Sequence, residues 1–455
     1  MIILLGLLQF SAGFGILILL KIYLKPAFCI PLSVLIGISV FAIVPFLLQL
    51  IHVPLTSSTV FVSIAIACIL FNLKSRNKFL EFLNTLKNYR FRFKLYELPF
   101  LLLLTFIVFV SIWRCYYLPP TPRDLTSGPE VIAEYSVKEK TMINSVFTVD
   151  LTTTNNQYKP PFITCLQIIY KYAGFSFGQI WLSMVFIFFL VFLYHALSLN
   201  VHKLIAGMLI ILFIAIPEMY AYTFMVLFDY SNSVFFCLSL YFLFEFFVNE
   251  KPNYLVLSGI LMAIATYIRS ETLVLACIVY VAVVFHYLRS QKILKNILKS
   301  GAYFVLPSLL IYLVSIVVYI NWYLPSHYTI ETLLNKNLLN FSSFYQRISD
   351  MTGQLLLAGN TIAYYGYFVY IFLFILCLNI FDRNFLSKTA LNWLFAVFAV
   401  YIGLPFIAYL FPLYDLDNST KRGLFKIFPL MLLFMANSPF LISVSDGIKK
   451  WEQTK

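Results

Sequence analysis

The chain has 455 residues, 61% of them hydrophobic and only 11% charged, with a formal net charge of +13 and a mean hydropathy of +0.88. A soluble domain carries about 25% charged residues, which excludes an ordinary water-soluble fold here. Nucleic acid is excluded as a partner by where the positive charge sits. Residues 74–94 hold seven Lys/Arg against one Glu and residues 289–299 hold four with no acid, in both cases beside apolar runs. That is the pattern of cytoplasmic loops and of contact with anionic membrane lipid.

Apolar runs repeatedly reach the roughly 20 residues of a bilayer crossing. In chain order they fall near 2–20, 28–50, 58–73, 96–118, 179–199, 204–220, 230–248, 254–268, 271–288, 302–324, 361–381, 389–411 and 424–444. The expected fold is therefore all-α, a polytopic transmembrane bundle of about 13 spans. The first run has neither a basic flank before it nor a small-residue cleavage pattern after it, so it reads as a span and not as a signal peptide. With 74–94 on the cytoplasmic side, alternation puts 289–299, 382–388 and Lys449–Lys450 there too, and puts 119–178, 325–360 and 412–423 on the outer face. Three regions follow: 1–95 with the first helices and the basic loop, 96–324 with the main outer loop, and 325–455 with the last helices. The seven cysteines lie mostly within apolar runs and include no CxxC pair, so they read as buried thiols, with Cys115–Cys165 the one pairing that the loop between them allows.

The outer loop 119–178 is long for a compact protein, which marks it as functional. It carries five cations and five acids, the balance of a structured segment. Ser127-Gly-Pro-Glu130 reads as a capping box opening an interfacial helix, with Val131, Tyr135, Met142 and Val146 expected on its apolar face. Arg123 and Asp124 stand where the preceding span gives way to that helix. A carboxylate at this boundary can serve as a general base toward a hydroxyl, or simply pair with its neighbour. Later in the loop, two prolines fix the backbone after Tyr158 and Lys159, presenting a cation suited to phosphate or one that snorkels before a helix.

Two further clusters lie at the same face. Arg269 and Glu271 separate two apolar runs, and ionisable groups at a membrane boundary suggest a role, with mutual pairing as the plainer reading. Lys421 and Arg422 stand on the outer side against the positive-inside tendency, which anion binding would explain, as would balance by Asp415 and Asp417. There is no Walker loop, no dinucleotide fingerprint and no acidic nucleotide-sugar motif.

In Arg123-Asp124, the helix after Ser127, Tyr158-Lys-Pro-Pro161 and Lys421-Arg422-Gly-Leu-Phe-Lys-Ile-Phe-Pro429, the chain resembles the GT-C superfamily of polytopic membrane glycosyltransferases, in particular the group of the lipid A aminoarabinose transferase and the protein O-mannosyltransferases. The resemblance implies a GT-C-like fold and a hexosyl- or pentosyltransferase of cell-envelope glycan biosynthesis. The sugar would pass from a polyprenyl-phosphate-linked donor to a hydroxyl of a lipid-linked glycan, lipid A or similar acceptor. It implies Asp124 as base and Lys159 with Arg422 at the donor phosphate; by their place on the outer face, Lys421 and Arg269 are expected to join the phosphate, and Arg123, Tyr158 and Glu271 the substrate. Three extra helices precede the Asp loop here, and Tyr158 replaces a family Glu. A divalent metal therefore has no convincing ligand set, and no cofactor is assigned. The short inner loops suggest a bacterial inner membrane with the site facing the exterior. An O-antigen polymerase or ligase and a lipid or glycan transporter or flippase are the alternatives. The former would use a late outer loop, the latter internal repeats and mid-membrane charges.

Overall fold

The computed structural model describes residues 1–88, 94–121, 128–148, 159–289, 294–324, 341–381, 387–411 and 415–454. Within them every regular element is a helix. Eight helices are long and apolar enough to cross a membrane, or up to ten if each of two bent pairs is one span. They are α1 (Ile2–Leu19), α2 (Pro26–Leu50), the bent pair α3–α4 (Ser57–Asn72, Arg76–Lys87), α5 (Leu98–Tyr117), α8 (Ile180–Ser198), α10 (Phe228–Asn249), α12 (Thr272–Arg289), α14 (Leu306–Tyr323), α17 (Lys388–Leu410) and the bent pair α18–α19 (Lys421–Asn437, Pro439–Gln453). Shorter helices complete the set: α6 (Pro129–Glu139), α7 (Phe162–Tyr172), α9 (Lys203–Ile214), α11 (Pro252–Ile268), α13 (Leu294–Phe304), α15 (Ser342–Asp350) and α16 (Phe368–Ile380). This is the architecture of a multi-pass membrane protein. Each apolar stretch predicted from sequence falls on a helix. Three of them, on α9, α11 and α16, are only 10–17 residues long, which is short of an unaided crossing.

Local chemistry explains the helix ends. Thr56 accepts from the Thr59 amide at 3.2 Å while the Thr59 hydroxyl accepts from the Thr56 amide at 2.9 Å, a reciprocal cap opening α3. Prolines at the first turns of α2, α6, α11 and α19 sit where a missing amide costs nothing. The helices differ in how deeply they sit: α10 and α2 have 83% and 78% of their membrane window buried against 11% for α5, so α10 and α2 form the core and α5 the rim. α1 and α2 approach so closely that a Cβ on Gly37 would meet the Gln9 carbonyl oxygen at 1.8 Å, which is how small residues let apolar helices touch backbone to backbone.

Polar contacts fasten the two ends of the bundle, besides those between helices such as Ser239–Ser258. At one end, the Met142 amide donates to Gln49 at 2.7 Å and the Leu55 amide to the Lys140 carbonyl at 2.8 Å, docking the segment after α6 on the corner between α2 and α3. There too Val226 donates to the Thr121 carbonyl at 3.1 Å and Tyr323 to Leu50 at 2.8 Å. At the other end, the last helix is tied down by Lys94–Glu452 at 2.7 Å and by the His202 amide on the Ser445 hydroxyl at 2.7 Å.

Helix α6 departs from its expected form. It begins at Pro129 with Gly128 as its cap, while Ser127, the expected cap, lies outside the described residues. Glu130 turns inward to Lys171 at 2.6 Å and Gln167 on α7 and is therefore not free to reach back to the cap. Burial pushes the Glu130 carboxyl above its ordinary range, more than Lys171 and Gln167 lower it. The buried face is Ile132, Ala133 and Ser136 instead of Val131 and Tyr135, because α6 packs on α7. Met142 and Val146 are buried as expected, but lie beyond the helix, which ends at Lys140 with a left-handed φ of 60°. Cys115 and Cys165 are both buried and free, the latter beside Met142.

Candidate functional site

The site is built on the first turn of α10. The sequence FDYSNS places Asp229 one residue inside the helix and Asn232 three residues on, so both face the same neighbour. An acid in a helix's first turn is also favoured by the positive end of the helix dipole. That neighbour is the turn between α11 and α12. The Asn232 amide donates to the Ala265 carbonyl at 2.6 Å and to the Thr272 hydroxyl at 3.0 Å, pinning both sides of the turn. Between them Arg269 leaves the helical conformation (φ −140°, ψ 113°) and aims its guanidinium back at Asp229.

Arg269 is ion-paired twice, through one terminal nitrogen to Asp229 and through Nε to Glu271. All three are withdrawn from solvent: the Asp229 side chain is 2% exposed, Glu271 8% and Arg269 12%. Arg422 reaches the second Asp229 oxygen at 4.0 Å from a different part of the chain, just after the π-helical turn Leu416–Thr420. Lys159 enters from a third direction, held by Pro160 and Pro161 immediately before the fully buried start of α7. Together Lys159, Asp229, Arg269, Ser270, Glu271, Ser419 and Arg422 enclose a polar cavity of about 80 Å³. At about 30 Å³ per water that is room for two to three waters, or one tetrahedral oxyanion.

Charge sets what the cavity prefers. Lys426, 1% exposed, stands near enough to act on Arg269, Glu271 and Asp229. Glu218, paired with Lys421, acts on Arg422 and Asp229 in the same way, so the described cluster holds five cations against three acids. Burial pushes the Glu271 carboxyl up, but the charges of Arg269, Lys426 and Lys159 outweigh it and leave its pKa below the ordinary value. Lys159 lines the opening and keeps exposed area, yet it stands in a narrow polar cleft. Desolvation there, then repulsion from Arg269, lower its pKa against the pull of Glu271 and Asp229. Held on the Arg269 guanidinium, Glu271 is a poor proton acceptor. The work of Asp229 and Glu271 is to fix the arginine at the cavity wall.

Of the residues singled out from sequence, Lys159, Arg269, Glu271 and Arg422 therefore meet at one cavity. Lys421 does not join its wall: its ammonium pairs with Glu218 at 3.0 Å and lies 4.2 Å from the Tyr364 ring centre. Arg123, Asp124 and Tyr158 lie outside the described residues. The sequence reading missed Asp229, Lys426 and Glu218. For Asp229 the signal was available, since an acid followed by Ser, Asn and Ser at the head of an apolar run is costly unless it has a partner. Among the described residues no group of three or more His, Cys, Asp or Glu is placed to hold a metal ion. Comparison of the chain with protein-family models, with curated proteins and with solved structures gives no match.

Proposed function

We propose that the chain is an integral membrane glycosyltransferase that moves a sugar from a polyprenyl-phosphate donor to a hydroxyl acceptor at the end of the bundle where this cavity opens. The observation that supports it is the convergence of Lys159, Arg269 and Arg422, from three sequence-distant elements, on a cavity that admits an oxyanion. A volume of about 80 Å³ accommodates the phosphate alone, so sugar and isoprenoid lie outside it. In the reaction the acceptor oxygen bonds to the anomeric carbon and the bond from that carbon to the phosphate oxygen breaks. Its electron pair goes to the phosphate, whose growing charge the cations offset. Asp124 takes the acceptor hydroxyl's proton, the role the sequence reading gives it. Asp229 and Glu271 hold Arg269 in place.

The test is transfer of radiolabel from polyprenyl-phosphate sugars to membrane lipids. Asp124→Asn is expected to lose transfer while still binding donor; undiminished transfer removes Asp124 from the mechanism. Lys159→Ala and Arg422→Ala are expected to weaken donor binding, and unchanged affinity in both would refute the phosphate assignment. Because the Lys159 ammonium is held below its ordinary pKa of 10.5, donor affinity should begin to fall on the alkaline side before that value. Lys159→Arg should move that limit upward. Movement of labelled lipid across vesicle bilayers without transfer would instead identify a flippase.

A further inference from the structure

A second cavity lies at the opposite end of the molecule, where α1 ends, α2 begins and α4 crosses beside them. It is half-open, about 290 Å³, and its lining joins apolar side chains such as Phe14, Leu17 and Ile22 to the charged Lys25, Lys78 and Glu81. An apolar space of this size offers water few of the two to four partners each molecule needs, and close-packed interiors do not leave such voids unfilled.

The wall on the α4 side explains how the cavity arises. α3 and α4 meet at 86°, so α4 leaves the direction of the spans and runs across them. Phe79 and Phe82 hold α4 to α1 through Phe14, with ring centres 5.7 and 5.4 Å apart. No residue of α4 is buried, and Leu80, Leu83 and Leu86 are 52%, 41% and 40% exposed. A basic amphipathic helix with a free leucine face lies in the membrane interface. The flanking stretches 19–29 and 74–88 carry Lys21, Lys25, Lys74, Arg76, Lys78 and Lys87 against one acid, Glu81. Lys78 pairs with Glu81 at 2.8 Å and lies 5.0 Å from the Tyr23 ring centre, which holds its ammonium at the cavity wall.

We propose that this cavity is a binding site for an anionic glycerophospholipid: one acyl chain enters between α1, α2 and α4, and the headgroup phosphate rests on Lys25 and Lys78. The free leucine face of α4 continues the apolar path into the bilayer, and the basic corner complements a negative headgroup. The inference does not depend on the transferase reading, because the two cavities share no residue.

The experiment uses the full chain purified in neutral detergent. Native mass spectrometry follows binding of dioleoyl phosphatidylglycerol, dioleoyl phosphatidylcholine, glycerol phosphate and inorganic phosphate. Phosphatidylglycerol is expected to bind and to raise the thermal midpoint, and the other three to do neither. Lys25→Ala with Lys78→Ala should weaken phosphatidylglycerol binding roughly thirtyfold, the effect of removing two interfacial lysines. Both side chains are at the surface, so this variant folds. Leu17→Phe, which narrows the cavity, should also weaken binding with the basic rim intact. Equal binding of phosphatidylcholine, equal binding of the soluble phosphates, or phosphatidylglycerol binding unchanged in both variants would each overturn the site.

Discussion

The two ends of the bundle use the same kinds of charged residue to opposite purpose. At the α19 end, Lys94 pairs with Glu452 at 2.7 Å and Lys203 with Glu97 at 2.9 Å, with lysine side chains 53% and 42% exposed. Glu452 there also meets His202 at 3.3 Å, and these contacts together clip the last helix and the start of α9 to the segment before α5. At the α10 end the ions are buried, share partners, and carry more positive than negative charge among the described residues. Exposed pairs in high dielectric contribute little, whereas buried ions are tolerated only when each is compensated. The two ends therefore differ in how far their ions are withdrawn from water and in how many partners each one shares.

Removing Arg269 should break this contrast most sharply. Arg269→Ala leaves Asp229 and Glu271 buried without their common partner, and is expected to cost about 3–5 kcal/mol of unfolding free energy together with phosphate binding. Chemical unfolding in detergent measures it; a cost near that of an exposed pair would mean the cluster is wetter than its burial indicates. An intermediate effect is expected for Glu271→Gln, about 1.5–3 kcal/mol at neutral pH, the worth of a hydrogen bond to a charged group. Its pH profile sharpens the point. Glu271's folded pKa lies below the ordinary 4.5, so its stabilisation is present above about pH 4.5 and is lost as the pH falls through the folded value. The glutamine variant should lack that part of the acid dependence, and an unchanged acid limb would show that Glu271 is not the titrating group. The smallest effect belongs to Lys203→Ala at the α19 end, about 0.2–1 kcal/mol. Should it match Arg269→Ala, the two ends do not differ in kind.

What could be read from the sequence divides along the same line. The positions of the apolar helices follow from hydrophobic runs, since a bilayer imposes its thickness on any chain that crosses it. Lys159, Arg269, Glu271 and Arg422 were visible as ions at the borders of such runs. Asp229 also stands at the border of such a run, but its partner Arg269 is 40 residues away, so spacing along the chain did not single it out. Lys421 was misleading for the converse reason: it neighbours Arg422 in sequence, but its ammonium is taken up by Glu218. Along α6, the pattern gave a helix with an apolar face along the membrane surface, whereas the face it buries, Ile132, Ala133 and Ser136, is set by packing on α7.

The sequence by itself therefore determined that this is a membrane-embedded, all-helical protein and which segments lie at the borders of its apolar runs, since composition and run length obey one-dimensional rules. Only the tertiary structure decided which of those border residues share a cavity and which satisfy one another elsewhere. Ion pairing in a low-dielectric interior depends on distances of a few ångströms between helices, and no spacing along the chain encodes those.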